Sequence, residues 1–447
     1  MTSIAPSPIL RVAFLVSCTG ILFGYGITSI AGVLDTLAPR FALSLLQTQF
    51  LVFVLVAACF VGAIVAGPAA TRWGRRPALW GATGLSIGAY AFVLTIPTLG
   101  ELIIIRILIG LAIGLYSMLV PMYAAEAVAT PKRGAIVALF QLAITAGILA
   151  SYGLALGLDA DPQWPLVLAF GLIPSLLAAL GLAALPESPR WLALHAHPDQ
   201  ARHAAHRLGL DDEWQAIVQA ETRRPGLTIR QALRQGSVLK VTLLCSALFI
   251  LQNLSGIDGI LYYAPQIFKG LGFSAGTAAL AATFGLGAVN FLATLAGVSL
   301  VDRLGRRKLW IGGSAAMVLG LALVTLAAGQ DMAWLGLLGL CLYILAFAVS
   351  LGPLPYVLMS ELFPSALRET GMATASSVSW LFNALIALTF LSIVDALSLA
   401  GAMLLFLGVC VVSLALGIRY LPETRRLPLE TIEARVLRGV PLRQLGG

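Results

Sequence analysis

Twelve stretches of this chain come close to the length at which an α-helix crosses a bilayer, about 20 mostly apolar residues. They run at about 9–31, 48–70, 77–97, 101–124, 134–157, 164–185, 239–267, 275–300, 309–329, 333–359, 370–394 and 398–419, designated spans 1 to 12. In hydrocarbon every backbone N–H and C=O has to be paired within the protein, so only helices and closed barrels can cross it. A barrel needs short alternating segments, and the runs seen here are long and continuous. Composition agrees: 59% of the 447 residues are hydrophobic and 11% are charged, where a soluble chain is about a quarter charged. The runs predict an all-α membrane protein with the lipid bilayer as its solvent.

The net charge of +8 does not point to nucleic acid, because the cations alternate by side. Arg72, Arg75, Arg76, Lys132, Arg133, Arg190, Arg202, Arg207, Arg303, Arg306, Arg307, Lys308, Arg368 and Arg425 fall in every second connection or in the tail. The opposite connections hold only Arg40 and Lys269. By the positive-inside rule both termini and the connection between spans 6 and 7 are expected in the cytoplasm, with the chain in the cell (inner) membrane. The five cysteines all lie in apolar runs and are expected as small core residues without disulfides. The first run continues past signal-peptide length, so no cleavable signal is expected.

The chain also repeats itself. TRWGRRP (71–77) after span 2 answers DRLGRRK (302–308) after span 8. Glu126 precedes Arg133 by seven residues at the end of span 4, and Glu361 precedes Arg368 by seven at the end of span 10. LPESPRW (185–191) closes span 6, and LPETRR (421–426) closes span 12. A six-plus-six duplication follows, a common plan among transporters. It divides the chain into a first six-helix bundle (1–189), a linker with short helices (190–237), a second bundle (238–421) and a tail (422–447). His195, His197, His203 and His206 sit in the linker. No cysteine or carboxylate set completes a coordination sphere around them, so they read as solvated surface and no metal is expected. The repeated charges set Glu126, Glu187, Glu361 and Glu423 against Arg72, Arg76, Arg133, Arg303, Arg307 and Arg368. Paired across the halves they would form a gating latch; the alternative is that they only fix topology.

Two ionisable residues stand inside apolar runs. Asp258 lies in LQNLSGIDGILYYAPQIF (251–268) and Arg106 follows LIII in span 4. An ionisable residue at the middle of a span costs about 2.5–3.5 kcal/mol on insertion scales, so each is a candidate functional residue. On an ideal helix Gln252 and Asp258 would point roughly 120° apart. Gly256, Gly259 and Pro265 allow the helix to loosen between them. Tyr262 and Tyr263 follow, either as an outer gate or as interfacial aromatics.

These motifs resemble the sugar porters of the major facilitator superfamily over nearly the whole chain. The matching pieces are FGY (23–25), RWGRR (72–76), RILIGLAIGL (106–115), PMYAAE (121–126) with Arg133, PESPRWL (186–192), the stretch ending in YYAP (262–265), DRLGRR (302–307), SELFP (360–364) with Arg368, and PET (422–424). The resemblance implies the major facilitator fold, twelve transmembrane helices in two six-helix bundles, with alternating access around a central site. It places Gln141, Gln252, Asn253, Asp258, Asn290, Trp380 and Asn383 at family sugar contacts. Amides both donate and accept, which suits sugar hydroxyls, and an indole face suits the apolar face of a ring.

Several positions depart from the family pattern. Gly26 replaces the span-1 aspartate of proton-coupled members, beside which the family places the arginine matched by Arg106. Ile148 replaces a second span-5 amide, Leu351 a span-10 tryptophan, and Ser379 a glutamine. Asp258 takes the place of an asparagine.

The expected function is therefore transport of a monosaccharide or related polyol, by facilitated or proton-linked alternating access, in a monomer without cofactors. Asp258 and Arg106 are the proton-coupling candidates. Within that reading Asp258 either takes over the proton site or only accepts hydrogen bonds from the substrate. A proton-linked exporter of an organic cation or drug, whose charge Asp258 would pair, and a non-transporting sugar sensor are the alternatives. No Ser-His-Asp set, metal motif or phosphate loop is present in the sequence, so an enzyme is not expected.

Overall fold

A computed structural model of the chain describes residues 7–158, 160–195, 197–215, 236–274, 276–328, 330, 332–363, 368–425, 427 and 429–446. Helices dominate, with no strand among the described residues. Ten segments are long and apolar enough to cross a bilayer. Span 3, Arg75–Val93, is a further helix of 19 residues, less apolar because it opens on two arginines. The last apolar segment, Thr374–Tyr420, is 47 residues long and holds two spans. Its backbone leaves the helical region at Ser398, with φ 65° and ψ 168°. The count is twelve, as the hydropathy pattern predicts.

The chain divides into two compact units, Met1–Ala42 with Val54–Arg224, and Leu43–Phe53 with Pro225–Gly447. In the first, span 1 (Pro8–Thr28) lies along span 5 (Arg133–Gly157) through small residues. A Cβ on Gly24 would run into the carbonyl of Ile144, and one on Gly147 into that of Ile21. Such close approach is how helices gain packing where lipid is as apolar as the side chains. The second unit takes in the opening turns of span 2 (Leu45–Trp73). There the fully buried Gln49 donates to Ser392 Oγ at 2.7 Å and accepts its backbone N–H at 3.0 Å.

The repeated motifs build the same knot in each unit. In the first, the Arg75 guanidinium donates to both carboxylate oxygens of Glu126, at 2.9 and 2.8 Å. Ser188 Oγ donates to the same carboxylate. The neighbouring Glu187 accepts the backbone N–H groups of Arg75 and Arg76 at 3.1 Å each, and that of Ser188 at 2.7 Å. The Arg75 and Arg76 N–H groups belong to the first turn of span 3, which has no partners within its own helix. In the second unit Arg306 donates to Glu361 at 2.7 and 3.2 Å, and Thr424 donates to Glu361 as well. Glu423 accepts the backbone N–H groups of Arg306, Arg307 and Arg425 at 3.0, 3.2 and 3.2 Å. The glycine of each motif is required: Gly74 and Gly305 have φ of 96° and 88°. A side chain on either would be strained, and its Cβ would press on the Glu187 or Glu423 carboxylate.

The pairing guanidinium groups are thus those of Arg75 and Arg306, which lie between the arginines that the sequence singles out. Both ion pairs close within a unit. Arg72 and Arg303 are exposed. Arg76 and Arg307 contribute their backbone N–H, and the Arg307 side chain also donates to the Ile418 carbonyl at 2.9 Å. Arg133 pairs with Glu213 of the linker at 3.3 Å. Arg368 opens the helix Arg368–Tyr420, and its side chain lies outside the described residues. Among the described residues no group of three or more His, Cys, Asp or Glu side chains is placed to hold a metal.

Arg75 and Glu126 side chains are each only 10% exposed, so removing one strands the other's charge. Arg75→Leu is expected to cost about 3 kcal/mol of stability. Arg75→Leu with Glu126→Leu should cost less than the single change, and thermal unfolding in detergent measures both. Glu187 supplies a pH signature. Burial pushes its carboxyl up, against the pull of the Ser188, Arg76 and Arg75 N–H groups. The raised value means that the ionised carboxyl costs the folded state stability. That cost is absent below the unfolded value, about pH 4, and develops as pH rises through the raised one. The melting temperature of Glu187→Gln relative to wild type should therefore climb from acid towards neutral pH. A flat difference would contradict this.

Candidate functional site

Span 7 is not one helix. It runs as Gly236–Leu254, turns at Gly256, resumes as Ile257–Tyr262, and restarts after Tyr263 as Ala264–Gly270. Gly256 adopts φ 89° and ψ 4°, the left-handed region that only glycine enters readily. The break frees backbone groups in a span where water is scarce, and span 10 supplies the repair. Tyr343 donates its hydroxyl to the Ser255 carbonyl at 2.9 Å, and the Ser255 hydroxyl lies 3.0 Å from the same phenol. Gly259, the other candidate hinge, stays helical. A Cβ there would strike the Phe390 ring, and one on Gly256 the Phe406 ring. Tyr263, Phe390 and Phe406 stack in sequence with centroids 5.5 Å apart at each step. The two glycines therefore let the short helix lie against an aromatic column.

Polar residues on either side of the break meet spans 10 and 11. Asn383 Oδ1 accepts the Tyr262 hydroxyl at 2.8 Å, and the Asp258 carboxyl lies beside the Asn383 amide. With its oxygen turned to the phenol, Asn383 presents its NH₂ to the carboxylate. Asn253 donates to Ser379 Oγ at 3.0 Å and to the Phe249 carbonyl at 2.7 Å. Gln252 donates to the Gly352 carbonyl at 3.2 Å, while its Oε1 is buried without a hydrogen-bond partner. Ser379 and Asn383 stand four residues apart on one helix face, with Trp380 buried beside them. Asp258 itself is partly accessible, although Ile257 and Gly259 on either side are buried.

Other candidates sit differently. Asn290 is buried on span 8, and its side chain joins none of these hydrogen bonds. Tyr263 is fully buried and donates to the Ala387 carbonyl at 2.8 Å. Tyr262 is equally buried, held by Asn383. In the first unit Gln141 is partly accessible on span 5. Glu101 belongs to a capping box with Thr98 at the start of span 4, a structural role. Sequence reasoning passed over Tyr343; the signal was a tyrosine within an otherwise apolar run, whose hydroxyl needs a partner when buried.

Arg106 is buried and donates to the Gly26 carbonyl at 3.1 Å. A side chain at position 26 would have to displace the ends of neighbouring side chains. A Cβ on Gly26 would lie 2.7 Å from both the Tyr90 hydroxyl and Ile113 Cδ1, and 3.3 Å from Ile109. The Tyr90 hydroxyl is buried without a hydrogen-bond partner. A phenol and an isoleucine occupy the place where an acidic side chain would enter.

The comparisons with known proteins agree with this architecture. The profile of the "Sugar (and other) transporter" family matches residues 12–435. The galactose-proton symporter of Escherichia coli is 29% identical, with 97% of this chain and 96% of that protein aligned. The D-xylose transporter of Levilactobacillus brevis is 32% identical over 95% of this chain and 94% of its own. The proton:xylose symporter XylE, solved with 6-bromo-6-deoxy-D-glucose, superposes with a TM-score of 0.77 at 28% identity, covering 98% of both chains. Twelve helices, the duplicated charge knots and a match along nearly the whole length lead to one assignment: the chain belongs to the sugar transporter family of the major facilitator superfamily.

Proposed function

We propose that the chain carries a monosaccharide across the cell (inner) membrane by alternating access, as a proton-coupled symporter working as a monomer in the lipid bilayer. The observation that carries this reading is the polar set at the broken span 7. Gln252, Asn253, Asp258 and Asn383 supply both donors and acceptors beside the Trp380 indole, and the Gln252 Oε1 is an acceptor still to be used. A sugar hydroxyl both donates and accepts, so amides at these positions match it. Half-helices broken near the middle of the membrane are where transporters of this kind bind substrate. Three relatives named as galactose, xylose and arabinose transporters support the substrate class. The galactose and arabinose proteins are named proton symporters.

The two halves, 1–189 and 238–421, are proposed as the moving bodies. Both termini and the linker are proposed to face the cytoplasm, because the arginine-bearing connections lie on that side by the positive-inside rule. Gln141 and Asn290 are retained as substrate contacts on the family match. Tyr262 and Tyr263 are proposed to restrict the outer path, and the charge knots to hold the helix ends of each half in register while it moves.

The test is uptake by proteoliposomes of radiolabelled D-xylose, D-galactose, L-arabinose and D-glucose, with and without an acid exterior. Saturable uptake of at least one sugar, raised by the proton gradient, is expected. No uptake or counterflow of any sugar, with transport of an organic amine instead, would overturn the reading. Gln252→Ala should raise the KM for the transported sugar about tenfold, the loss of one good hydrogen bond, with a smaller effect on maximal rate.

A further inference from the structure

A proton-coupled carrier needs a group that gains and loses a proton as it alternates. In the first unit the position facing Arg106 is Gly26, which has no group to titrate, and the Tyr90 hydroxyl and Ile113 Cδ1 fill the space beside it. Arg106, at its carbonyl, keeps its charge at any physiological pH. The remaining acids of the spans are unsuited by position. Glu101 caps a helix at an exposed end, and Asp395 is exposed near the end of span 11. Glu126 and Glu361 are held by Arg75 and Arg306. Asp258 alone lies at mid-span by sequence.

We propose that Asp258 is the proton-carrying residue of this transporter, positioned for that role by Asn383 and Tyr262. The proposal rests on the reading of the chain as a sugar transporter. Three features of the site suit it. Asp258 is partly accessible, so a proton can reach it. The side chain beside it is an amide and not a guanidinium. An amide serves both protonation states, since it donates to a carboxylate and, turned over, accepts from a carboxylic acid. Tyr262, whose hydroxyl now meets the Asn383 oxygen, can rotate that hydroxyl to follow the turn.

The other titratable groups bearing on Asp258 are the phenols of Tyr343 and Tyr356 on span 10, with the Cys410 thiol of span 12 beside Tyr343. Phenols and thiols are neutral near pH 7. No cation among the described residues of this unit engages the carboxylate. The step is a plain protonation: the carboxylate takes a proton from the outer solution with sugar bound, and releases the same proton to the inner solution after the sugar leaves. An aspartate in the place of an amide also keeps an acceptor for the sugar, so proton and sugar share one side chain. Binding one can then alter the affinity for the other, which is what coupling requires.

Full-length protein in proteoliposomes loaded with a pH-sensitive dye tests this, using whichever of D-xylose and D-galactose the wild type exchanges in counterflow. Sugar added outside should acidify the wild-type lumen, and an acid exterior should drive accumulation severalfold above equilibrium. Asp258→Asn should lose the proton flux and accumulate sugar only to equilibrium, even where counterflow is slower. Asp258→Glu should keep the flux and move the midpoint of the pH–rate profile. Tyr262→Phe should move that midpoint in the wild-type background by a smaller amount. Sugar-driven proton flux in Asp258→Asn at the wild-type level would overturn the proposal, as would wild-type counterflow without any proton flux. If Asp258→Asn gives no counterflow, the glutamate variant decides: an unmoved midpoint with only KM changed marks a hydrogen-bonding role and overturns proton carriage. Absence of counterflow in the wild type would instead defeat the sugar-transport reading itself.

Discussion

The interior of a bilayer offers no water to an unpaired backbone group, and nearly every structural choice in this chain follows from that. Most spans obey by staying helical, with short turns at Phe170–Gly171 in span 6 and Ser350–Pro353 in span 10. Span 7 breaks its ladder between Leu254 and Ile257, and the cost is met locally. Tyr343 takes the Ser255 carbonyl, Gly256 absorbs the left-handed turn, and the Phe390–Phe406 column closes against the glycines. Without that repair the break would expose orphaned N–H and C=O groups worth several kcal/mol each. With it, Asp258 is freed from the angular spacing of the preceding helix and lies beside Asn383, while Asn253 meets Ser379 and Gln252 meets the Gly352 carbonyl.

The same rule sorts the charges. Where an acid is buried for architecture, an arginine holds it: Arg75 with Glu126, Arg306 with Glu361. The carboxylates next to them, Glu187 and Glu423, are satisfied by first-turn N–H groups of spans 3 and 9. These groups are locked, and their near-identical geometry in the two units is what a duplicated ancestor would leave. Asp258 is the exception, with the Asn383 amide beside it and no cation engaging it among the described residues of its unit. Arg106 is the converse, a buried cation set against the Gly26 carbonyl where a carboxylate would clash with Tyr90. Asp258 and Arg106 belong to different units, the acid beside an amide and the cation at a backbone carbonyl.

Much of this was legible in the residues because hydropathy and repetition are strong, cheap signals. Twelve runs gave twelve helices, including the pair that runs continuously from Arg368 to Tyr420 save for Ser398. The need for a break near Gly256 followed from the spacing of Gln252 and Asp258 on a helix. Details that depend on which rotamer reaches which atom were not legible. Arg-x-Gly-Arg-Arg offers three arginines, and only the fold selects the one after glycine, since Gly74 and Gly305 turn the chain so that Arg75 and Arg306 face the acids. Gly259 reads as a hinge in the sequence but serves packing, because its partner Phe390 is over a hundred residues away. The link from Tyr262 through Asn383 to Asp258 likewise joins spans 7 and 11, a pairing no local pattern encodes.

The central claim is that the carboxyl group which changes charge during transport has moved from span 1 to Asp258. Infrared difference spectroscopy across a pH titration observes that group directly, through the carbonyl stretch of a protonated carboxylic acid. Wild-type protein in lipid, with D-xylose or D-galactose present, should show such a band that titrates with the transport profile and vanishes in Asp258→Asn. A titrating band that persists unchanged in Asp258→Asn, or no protonated carboxyl at any pH that supports transport, would contradict the account.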